Sequence, residues 1–264
     1  MIRTERDPDP SVATRAKSFL RRHASADLRG HLRQRIVSTP GISEVYYRLD
    51  PGARTIRLHR GTEIVIDGFP RSANTFAVES FLMANTGHSV AHHLHDRRRI
   101  RKAVKWGIPV ILIIREPDGC VNSFVNAITT TPADFFFTEY AKFYEGLTDI
   151  LSGVIVAEFF EITTAWPAII DRFNLKFGTD YDAVSAESSE QVFQRVDEFG
   201  KSHAFGDAQF TDAKFEKVVS RPSSTRSDLH VSELATPRVR QRALEAYSRI
   251  VAGTGAGDAL CDQE

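Results

Sequence analysis

Cysteine is scarce in this chain of 264 residues, which contains only Cys120 and Cys261. Two cysteines are too few for a disulfide framework or a cysteine-rich zinc site, so we expect a reducing compartment. Apolar runs such as Val110 to Ile114 have the length of a buried strand, far below the about 20 residues that a membrane span needs. Residues 1–7 do not resemble a secretory signal. These absences predict a cytoplasmic protein without a membrane span.

The residue types that are present occur in globular proportions, with 42% hydrophobic and 26% charged residues. This composition excludes a disordered chain, a collagen and a disulfide-rich miniature scaffold. A chain of this length can bury about 70–75% of the surface that its unfolded form exposes. We therefore expect residues 1–264 to form a single domain, in which residues 1–60 are an N-terminal extension of helices and a strand.

Charge is unevenly distributed along the chain, although the formal net charge is zero. Residues 1–120 contain 21 Lys and Arg against 12 Asp and Glu, whereas residues 121–264 contain 13 against 22. Complementary or simply solvated surfaces would explain this difference. Alternatively, the basic half attracts an anionic ligand.

Short β-branched runs alternate with helical patterns from residue 61 onward. Strands are predicted at 63–67, 89–94, 109–114 and 153–157. Helices are predicted at 76–84, 96–106, 117–127, 135–151, 163–177 and 237–252. This alternation predicts a three-layer α/β fold, with a central, mostly parallel sheet flanked by helices.

A loop that starts with glycine, residues 68–75, lies between the first predicted strand and its helix. In this position the backbone N–H groups of the loop and of the first helical turn point towards one anion. Arg71 adds a permanent charge and a fork of donors. Ala73 and Asn74 stand where the Walker pattern has glycine and lysine, so that pattern fits only in part. Ser72 and Thr75 add hydroxyl donors at the start of the helix.

A second arginine, Arg115, follows the apolar strand at 109–114. Ligands of parallel sheets bind beyond the carboxyl ends of strands, so Arg115 is expected at the same edge as the loop at 68–75. Ser123 lies in the second turn of the next helix and could meet the same phosphate. Alternatively, Arg115 pairs with Glu116 and Ser123 is an ordinary exposed serine. Kinases usually end this strand in an aspartate that holds magnesium, so arginine favours an anion clamp.

Together the two segments resemble the PAPS-dependent sulfotransferase family, where PAPS is 3′-phosphoadenylyl sulfate. Gly68–Phe76 is similar to the family's G-x-P-[KR]-S-G-[TN]-T loop, and Val110–Ser123 to its apolar strand, R-[ND]-P motif and serine. The resemblance covers about residues 62–178. It implies a P-loop-type fold, PAPS as donor, PAP as product, no metal, and a small-molecule or saccharide acceptor rather than nucleic acid.

The resemblance also implies roles for individual residues. The loop would bind the 5′-phosphosulfate of PAPS, and Arg115 and Ser123 would bind its 3′-phosphate. Residues 220–226 would stand in for the family's C-terminal nucleotide loop. Ala73 fits the place of a glycine without strain only if its φ is negative. The predicted donor-binding residues are Arg71, Ser72, Ala73, Asn74, Thr75, Phe76, Arg115, Ser123 and Arg226.

Four of the nine histidines lie within residues 88–95. His92-His93-Leu94 resembles the family's T-H-L element, which implies that His93 takes the proton from the acceptor; His95 is the alternative base. Histidine suits this role because its ordinary pKa lies near neutrality. Strand alternation would put His93 and His95 on one face and His92 on the other. A metal site or polar residues at a strand end are the other interpretations, but no third ligand is suitably spaced.

We therefore expect a sulfotransferase that transfers a sulfuryl group from PAPS to a hydroxyl, or less readily to an amine. His93 would accept the proton, and Arg71 would stabilise charge on the departing phosphate oxygen. Two alternatives remain, a P-loop kinase or nucleotidase with an unusual loop and a non-catalytic nucleotide-binding protein on the same fold. The sequence leaves the acceptor and the oligomeric state open.

Overall fold

The structure is a computed structural model that describes residues 58–127, 132–185, 188–204 and 234–258. Its four strands are β1 (Ile64–Gly68), β2 (Val90–His92), β3 (Val110–Ile114) and β4 (Ile155–Glu158). The helices of these residues are α1 (Asn74–Ala84), α2 (Arg97–Lys105), α3 (Pro117–Ala127), α4 (Ala133–Glu145), α5 (Phe159–Thr164), α6 (Trp166–Phe177), α7 (Ser189–Ala204) and α8 (Pro237–Asp258). A 3-10 helix spans Thr148–Gly153.

The four strands form one sheet in the order β2-β1-β3-β4. Every neighbouring pair is parallel. The prediction of a mostly parallel sheet flanked by helices is therefore confirmed. From β1 the chain moves to β2 on one side, and from β2 it crosses to β3 on the other side of β1. The direction of the connections thus reverses between β1 and β3, which is the topological switch point of the sheet.

Both faces of the sheet are buried, which explains why its strands are almost continuously apolar. In β3, Val110, Leu112 and Ile114 contribute to one core, whereas Ile111 and Ile113 contribute to the other. The first core includes residues of α2, α3, α4 and α8. The second core includes residues of α1, α5, α6 and α7. The helices therefore form two layers with the sheet between them.

Several predicted helices have different bounds in the structure; the one predicted at 237–252, for example, continues to Asp258. The helix predicted at 135–151 ends at Glu145 with Gly146 as its C-cap, and the chain continues as the 3-10 helix. The helix predicted at 163–177 is two helices. The first, α5, starts immediately after β4, because Glu158 and Glu161 form a reciprocal capping box.

Residues 1–57 of the predicted N-terminal extension lie outside the described residues, and so does the segment 220–226 with Arg226. Among the helices that the structure describes, none is sufficiently long and apolar to cross a membrane.

Candidate functional site

The candidate site lies at the switch point, where β1 and β3 end side by side. Gly68 at the end of β1 pairs with Ile113 of β3. The loop that leaves β1 (residues 68–75, the Gly68 loop) and the segment that leaves β3 therefore emerge next to each other. Crevices at such points are the usual ligand sites of parallel sheets, because the loops on either side diverge there.

Three predicted side chains from these two segments converge. Nε of Arg71 donates to Oγ of Ser123 at 2.9 Å, although the two residues are 52 positions apart. Nη1 of Arg115 donates to the carbonyl oxygen of Arg71 at 3.3 Å. Ser123 is 6% exposed, so the alternative of an ordinary exposed serine is wrong. The expectation that both motifs meet at one edge is correct in its geometry.

Arg115 packs against an aromatic ring, and the carboxylate of Glu116 is hydrogen-bonded elsewhere. Its guanidinium carbon lies 4.1 Å from the centre of the Phe159 ring, and Tyr140 OH donates to its carbonyl oxygen at 2.6 Å. Glu116 instead accepts from the N–H of Gly119, at 2.7 and 2.8 Å. No ion pair of Arg115 occurs within the described residues. A half-buried guanidinium in this situation favours an anionic ligand.

Positive φ angles are concentrated at this edge of the sheet. In the described parts of the chain, the non-glycine residues with positive φ are Arg71 (72°), Ala73 (73°), His93 (51°) and His95 (47°). A left-handed residue other than glycine costs about 1–2 kcal/mol. Ala73 therefore does not meet the condition of a negative φ, and the loop is strained. Left-handed residues that alternate with right-handed ones form the concave N–H nests that bind anions.

Two side chains of the Gly68 loop point into the protein and brace it. Ser72 is fully buried, and its Oγ lies 3.7 Å from Sγ of Cys120. Nδ2 of Asn74 donates to the carbonyl of Phe69 at 2.9 Å. The predicted contacts of Ser72 and Asn74 with a donor would therefore be made by their backbone N–H groups, and these contacts stay predictions. Burial raises the pKa of the Cys120 thiol to about 12, so it stays protonated and is no nucleophile.

Phe76, at the start of α1, lies beside a small pocket. Its ring centre is 4.9 Å from that of Phe193 in α7, and Ser80 and Trp166 also line the pocket. Oγ of Ser80 and Nε1 of Trp166 are buried polar atoms without a hydrogen bond in the described residues. The predicted contact of Phe76 with the donor is untested.

The histidines following β2 face the Gly68 loop. Nε2 of His93 lies 3.0 Å from Oγ1 of Thr75, and Nδ1 of His93 lies 2.6 Å from Nδ1 of His92. The expectation that His92 lies on the opposite face from His93 is therefore wrong. The strand ends at His92, and the left-handed backbone of His93 breaks the alternation of a strand.

His95 forms a different set of contacts, with the end of β1. Its Nδ1 lies 2.8 Å from the carbonyl oxygen of Gly68, and its backbone N–H donates to Oδ2 of Asp67 at 2.9 Å. Asp67 is completely buried, and this burial raises the pKa of its carboxyl from 3.8 to about 8. Asp67 is not among the site residues predicted from the sequence. The feature of the sequence that points to Asp67 is an acidic residue within an otherwise apolar strand, because a buried carboxyl requires a polar partner.

Tyr144 of α4 joins the ends of β1 and β3. Its hydroxyl accepts from the N–H of Phe69 at 3.2 Å and donates to the carbonyl of Ile113 at 2.8 Å. The side chain is completely buried. This bridge holds the start of the Gly68 loop at a constant distance from β3.

Comparison with models of protein families, with curated proteins and with solved structures finds no match to this chain. In the residues that the structure covers, no group of three or more His, Cys, Asp or Glu side chains is arranged to hold a metal ion. The function is therefore inferred from the geometry of the site.

Proposed function

We propose that the protein is a PAPS-dependent sulfotransferase that acts on a hydroxyl, or less readily an amine, of a small-molecule or saccharide acceptor. The observation that carries the proposal is the convergence of Arg71, Ser123 and Arg115 at the switch point. Two arginines that meet at one edge of the sheet favour a ligand with more than one anionic group.

The residues of the site are chemically suited to such a donor. The Gly68 loop and the first turn of α1 supply N–H groups that no helical carbonyl satisfies. Arg115 has no ion pair among the described residues, and Ser123 adds a hydroxyl beside Arg71. The loop is proposed to hold the 5′-phosphosulfate, and Arg115 with Ser123 the 3′-phosphate. Donor binding would replace the bond between Arg71 and Ser123 with bonds to phosphate oxygens.

The proposed reaction is a direct in-line transfer. The acceptor oxygen forms a bond to sulfur, and the bond between sulfur and the 5′-phosphate oxygen breaks, its electron pair staying with PAP. Arg71 and the loop N–H groups would stabilise the charge on that oxygen. An imidazole after β2 would take the acceptor proton, with His93 and His95 as the candidates. No metal is required in this scheme, because arginine and backbone donors neutralise the charge.

The alternatives are less well supported by the same residues. A kinase of this fold usually holds magnesium with an aspartate at the end of the strand that corresponds to β3, and here that residue is Arg115. A non-catalytic nucleotide-binding protein would not require strained imidazoles next to the loop, where His93 and His95 both have positive φ.

Calorimetric titration with adenosine 3′,5′-bisphosphate (PAP) in the presence of EDTA tests the donor site. We expect saturable binding and a higher melting temperature, because a ligand that binds only the folded state stabilises it. Binding of Mg-ATP but not of PAP would support the kinase instead. A protein that binds neither nucleotide would overturn the proposal.

The transfer itself is tested by incubating the protein with PAPS and a small-molecule extract of cells. Mass spectrometry should then detect PAP together with products that are heavier than their precursors by one sulfuryl group. A protein that binds PAP but yields no sulfated product from any hydroxyl or amine pool would be a nucleotide-binding protein rather than a transferase.

A further inference from the structure

Helix α2 presents a surface of positive charge to the solvent. Arg98, Lys102 and Lys105 are exposed, and their spacing of four and then three residues puts them on one side of the helix. Arg60, which precedes β1, adds a fourth exposed cation, because its side chain lies on the ring of Trp106, the C-cap of α2. We call these four side chains, Arg60, Arg98, Lys102 and Lys105, the basic face.

The cations of the basic face differ in their partners from other cations of α2. Arg101 pairs with Asp149 of the 3-10 helix. Nε of the buried Arg99 lies 3.8 Å from Oδ2 of Asp96, the N-cap of the helix. Over the residues that the structure describes, no side chain of the basic face forms an ion pair with a carboxylate. Several uncompensated charges of one sign attract a ligand of the opposite sign.

Trp106 holds two of these cations in place. Nζ of Lys102 lies 4.6 Å from the centre of its ring, and the guanidinium carbon of Arg60 lies 4.3 Å from it. Such cation–π contacts are attractive and restrict the two long side chains. Because less rotamer freedom is then lost on binding, the two charges are preorganised for an anion.

The basic face begins next to the candidate site. β2 is parallel to β1, so the two strands end at the same edge of the sheet. In the segment between β2 and α2, Nδ1 of His95 lies 2.8 Å from the carbonyl oxygen of Gly68. Arg98 follows three residues later in the first turn of α2, and Lys105 lies about 10 Å further along the helix axis. A ligand that covers the basic face therefore extends from the Gly68 loop along α2.

An anionic acceptor requires a surface of this kind. PAPS has several negative charges, so an acceptor that is itself anionic is repelled where the two molecules meet. Cations beside the site offset this repulsion and raise the local concentration of the acceptor. An acceptor without charge gains nothing from them.

Nucleic acid and membranes fit this surface less well than an anionic saccharide does. Proteins that bind single-stranded nucleic acid supply aromatic rings on which bases stack, whereas Trp106 is half-buried and already contacts Arg60 and Lys102. Helices that bind membrane surfaces expose large apolar side chains. The exposed large apolar side chains of the described residues lie outside α2, at Phe160, Leu175 and Leu234. A saccharide with sulfate or carboxylate groups needs neither feature.

We propose that the acceptor is a saccharide chain with sulfate or carboxylate groups, which the basic face binds while a hydroxyl of the chain lies at the Gly68 loop. This inference rests on the proposed function. The sulfuryl group passes from PAPS to that hydroxyl, as in the reaction above. The basic face contacts only groups remote from the reacting atoms, so it determines the affinity for the acceptor rather than the rate of transfer.

Calorimetry with a heparin-derived hexasaccharide tests this surface, with maltohexaose as a neutral chain of the same length. The double variant Lys102→Gln with Lys105→Gln removes two charges from the end of the basic face that lies away from the Gly68 loop. Glutamine has nearly the helix propensity of lysine. The matched control is Lys176→Gln with Arg249→Gln, which removes two exposed cations from α6 and α8. Melting temperatures verify that both variants fold.

We expect the wild type to bind the heparin hexasaccharide but not maltohexaose. The Lys102 and Lys105 variant should bind it about 5- to 30-fold more weakly, as for two lost contacts between exposed charges. Added salt should reduce this difference, because it screens exposed charges. The control variant should match the wild type.

Two results of these titrations would overturn the inference. One is equal affinity of the wild type and the Lys102 and Lys105 variant for the heparin hexasaccharide. The other is tighter binding of the wild type to an oligothymidylate of equal charge, or to vesicles that contain phosphatidylserine, since the basic face would then serve nucleic acid or a membrane.

Turnover separates acceptor binding from the transfer step. With PAPS and a de-O-sulfated heparin hexasaccharide, which keeps its carboxylates and has free hydroxyls, mass spectrometry should detect a product heavier by one sulfuryl group. The Lys102 and Lys105 variant should raise the KM for this saccharide at unchanged kcat, because the lost contacts are equal in the ground state and the transition state. A KM equal to that of the wild type would contradict the assignment.

Failure of the inference and failure of the proposed function give different results. If the wild type does not bind PAP, the proposed function is wrong, and the assignment of an acceptor falls with it even where the hexasaccharide binds. If the wild type binds PAP and sulfates other acceptors but does not bind the hexasaccharide, only the present inference is wrong.

Discussion

Backbone strain at single residues marks the site more sharply than any side-chain type does. Arg71 and Ala73 on one segment, and His93 and His95 on the other, adopt a left-handed conformation that L-residues rarely tolerate. Such strain persists where the surrounding structure over-determines the backbone, and it is typically found at ligand sites. Ala73 has no functional group in its side chain, so a substitution there changes the stability through the backbone strain alone.

Ala73→Gly should raise the free energy of unfolding by about 0.5–1 kcal/mol. Glycine removes the clash of Cβ in the left-handed conformation, which outweighs its greater entropy in the unfolded chain. Chemical denaturation measures the change. The control is Ala168→Gly on the exposed face of α6, where the same substitution should destabilise by about the same amount. Equal effects of the two substitutions would show that Ala73 is not strained.

Arg115→Ala should weaken PAP binding by about 10- to 100-fold, because a hydrogen bond to a charged group contributes about 1.5–3 kcal/mol. Calorimetry of the folded variant measures the loss. The control is Arg249→Ala, since Arg249 is an exposed arginine of α8 whose ion-pair partner, Glu245, lies on the same helix. Unchanged affinity in the Arg115 variant would show that this arginine does not bind the ligand.

Helix α4 determines the relation between the two segments of the site, although it contributes none of the predicted donor-binding residues. Tyr140 bonds to the carbonyl of Arg115, and Tyr144 bonds to Phe69 and Ile113. The ring of Phe69 also makes edge contacts with Tyr140 and Phe143. The aromatic residues of this helix are therefore core residues that position both strand ends.

Tyr144→Phe should destabilise the protein by about 1–3 kcal/mol, because the Phe69 N–H and the Ile113 carbonyl would be left buried without partners. Tyr247→Phe on α8 is the control. Its hydroxyl donates to Glu158 at 2.5 Å in a half-exposed position, where water can replace it. Equilibrium unfolding compares the two, and equal losses would contradict the bridging role of Tyr144.

Burial of one carboxyl also affects the pH dependence of the whole molecule's stability. Asp67 has a pKa of about 8 in the folded protein, against an ordinary value of 3.8. Between these values the folded state keeps a proton that the unfolded chain has released. The free energy of unfolding therefore falls as the pH rises from about 4 to about 8, since the unfolded state binds fewer protons.

Asp67→Asn should abolish this contribution. The stability of the variant relative to the wild type should rise with pH between about 4 and about 8, by at most about 1.4 kcal/mol per pH unit. Asparagine keeps an oxygen that can accept the N–H of His95. Urea unfolding at several pH values measures the difference, and a difference that is constant across this range would show that Asp67 titrates normally.

Local patterns along the chain were sufficient to predict the α/β layers, the strand positions and the edge at which Arg71 and Arg115 meet. The reason is that alternation of strands and helices implies parallel strands, whose carboxyl ends share one edge. The bounds of the strand after residue 89 were less well predicted. Positive φ at His93 and His95 comes from contacts that the local pattern does not contain.

The roles of the side chains within the site depend on contacts between distant residues, and no periodicity encodes them. Asp67 meets His95 across 28 positions, Ser72 meets Cys120 across 48, and Phe69 meets Tyr144 across 75. Composition and spacing place a chemically suitable residue near the edge of the sheet. The burial and hydrogen-bond partners of that residue arise only when the layers pack. They determine whether its side chain braces the loop, carries a charge or is available to a ligand.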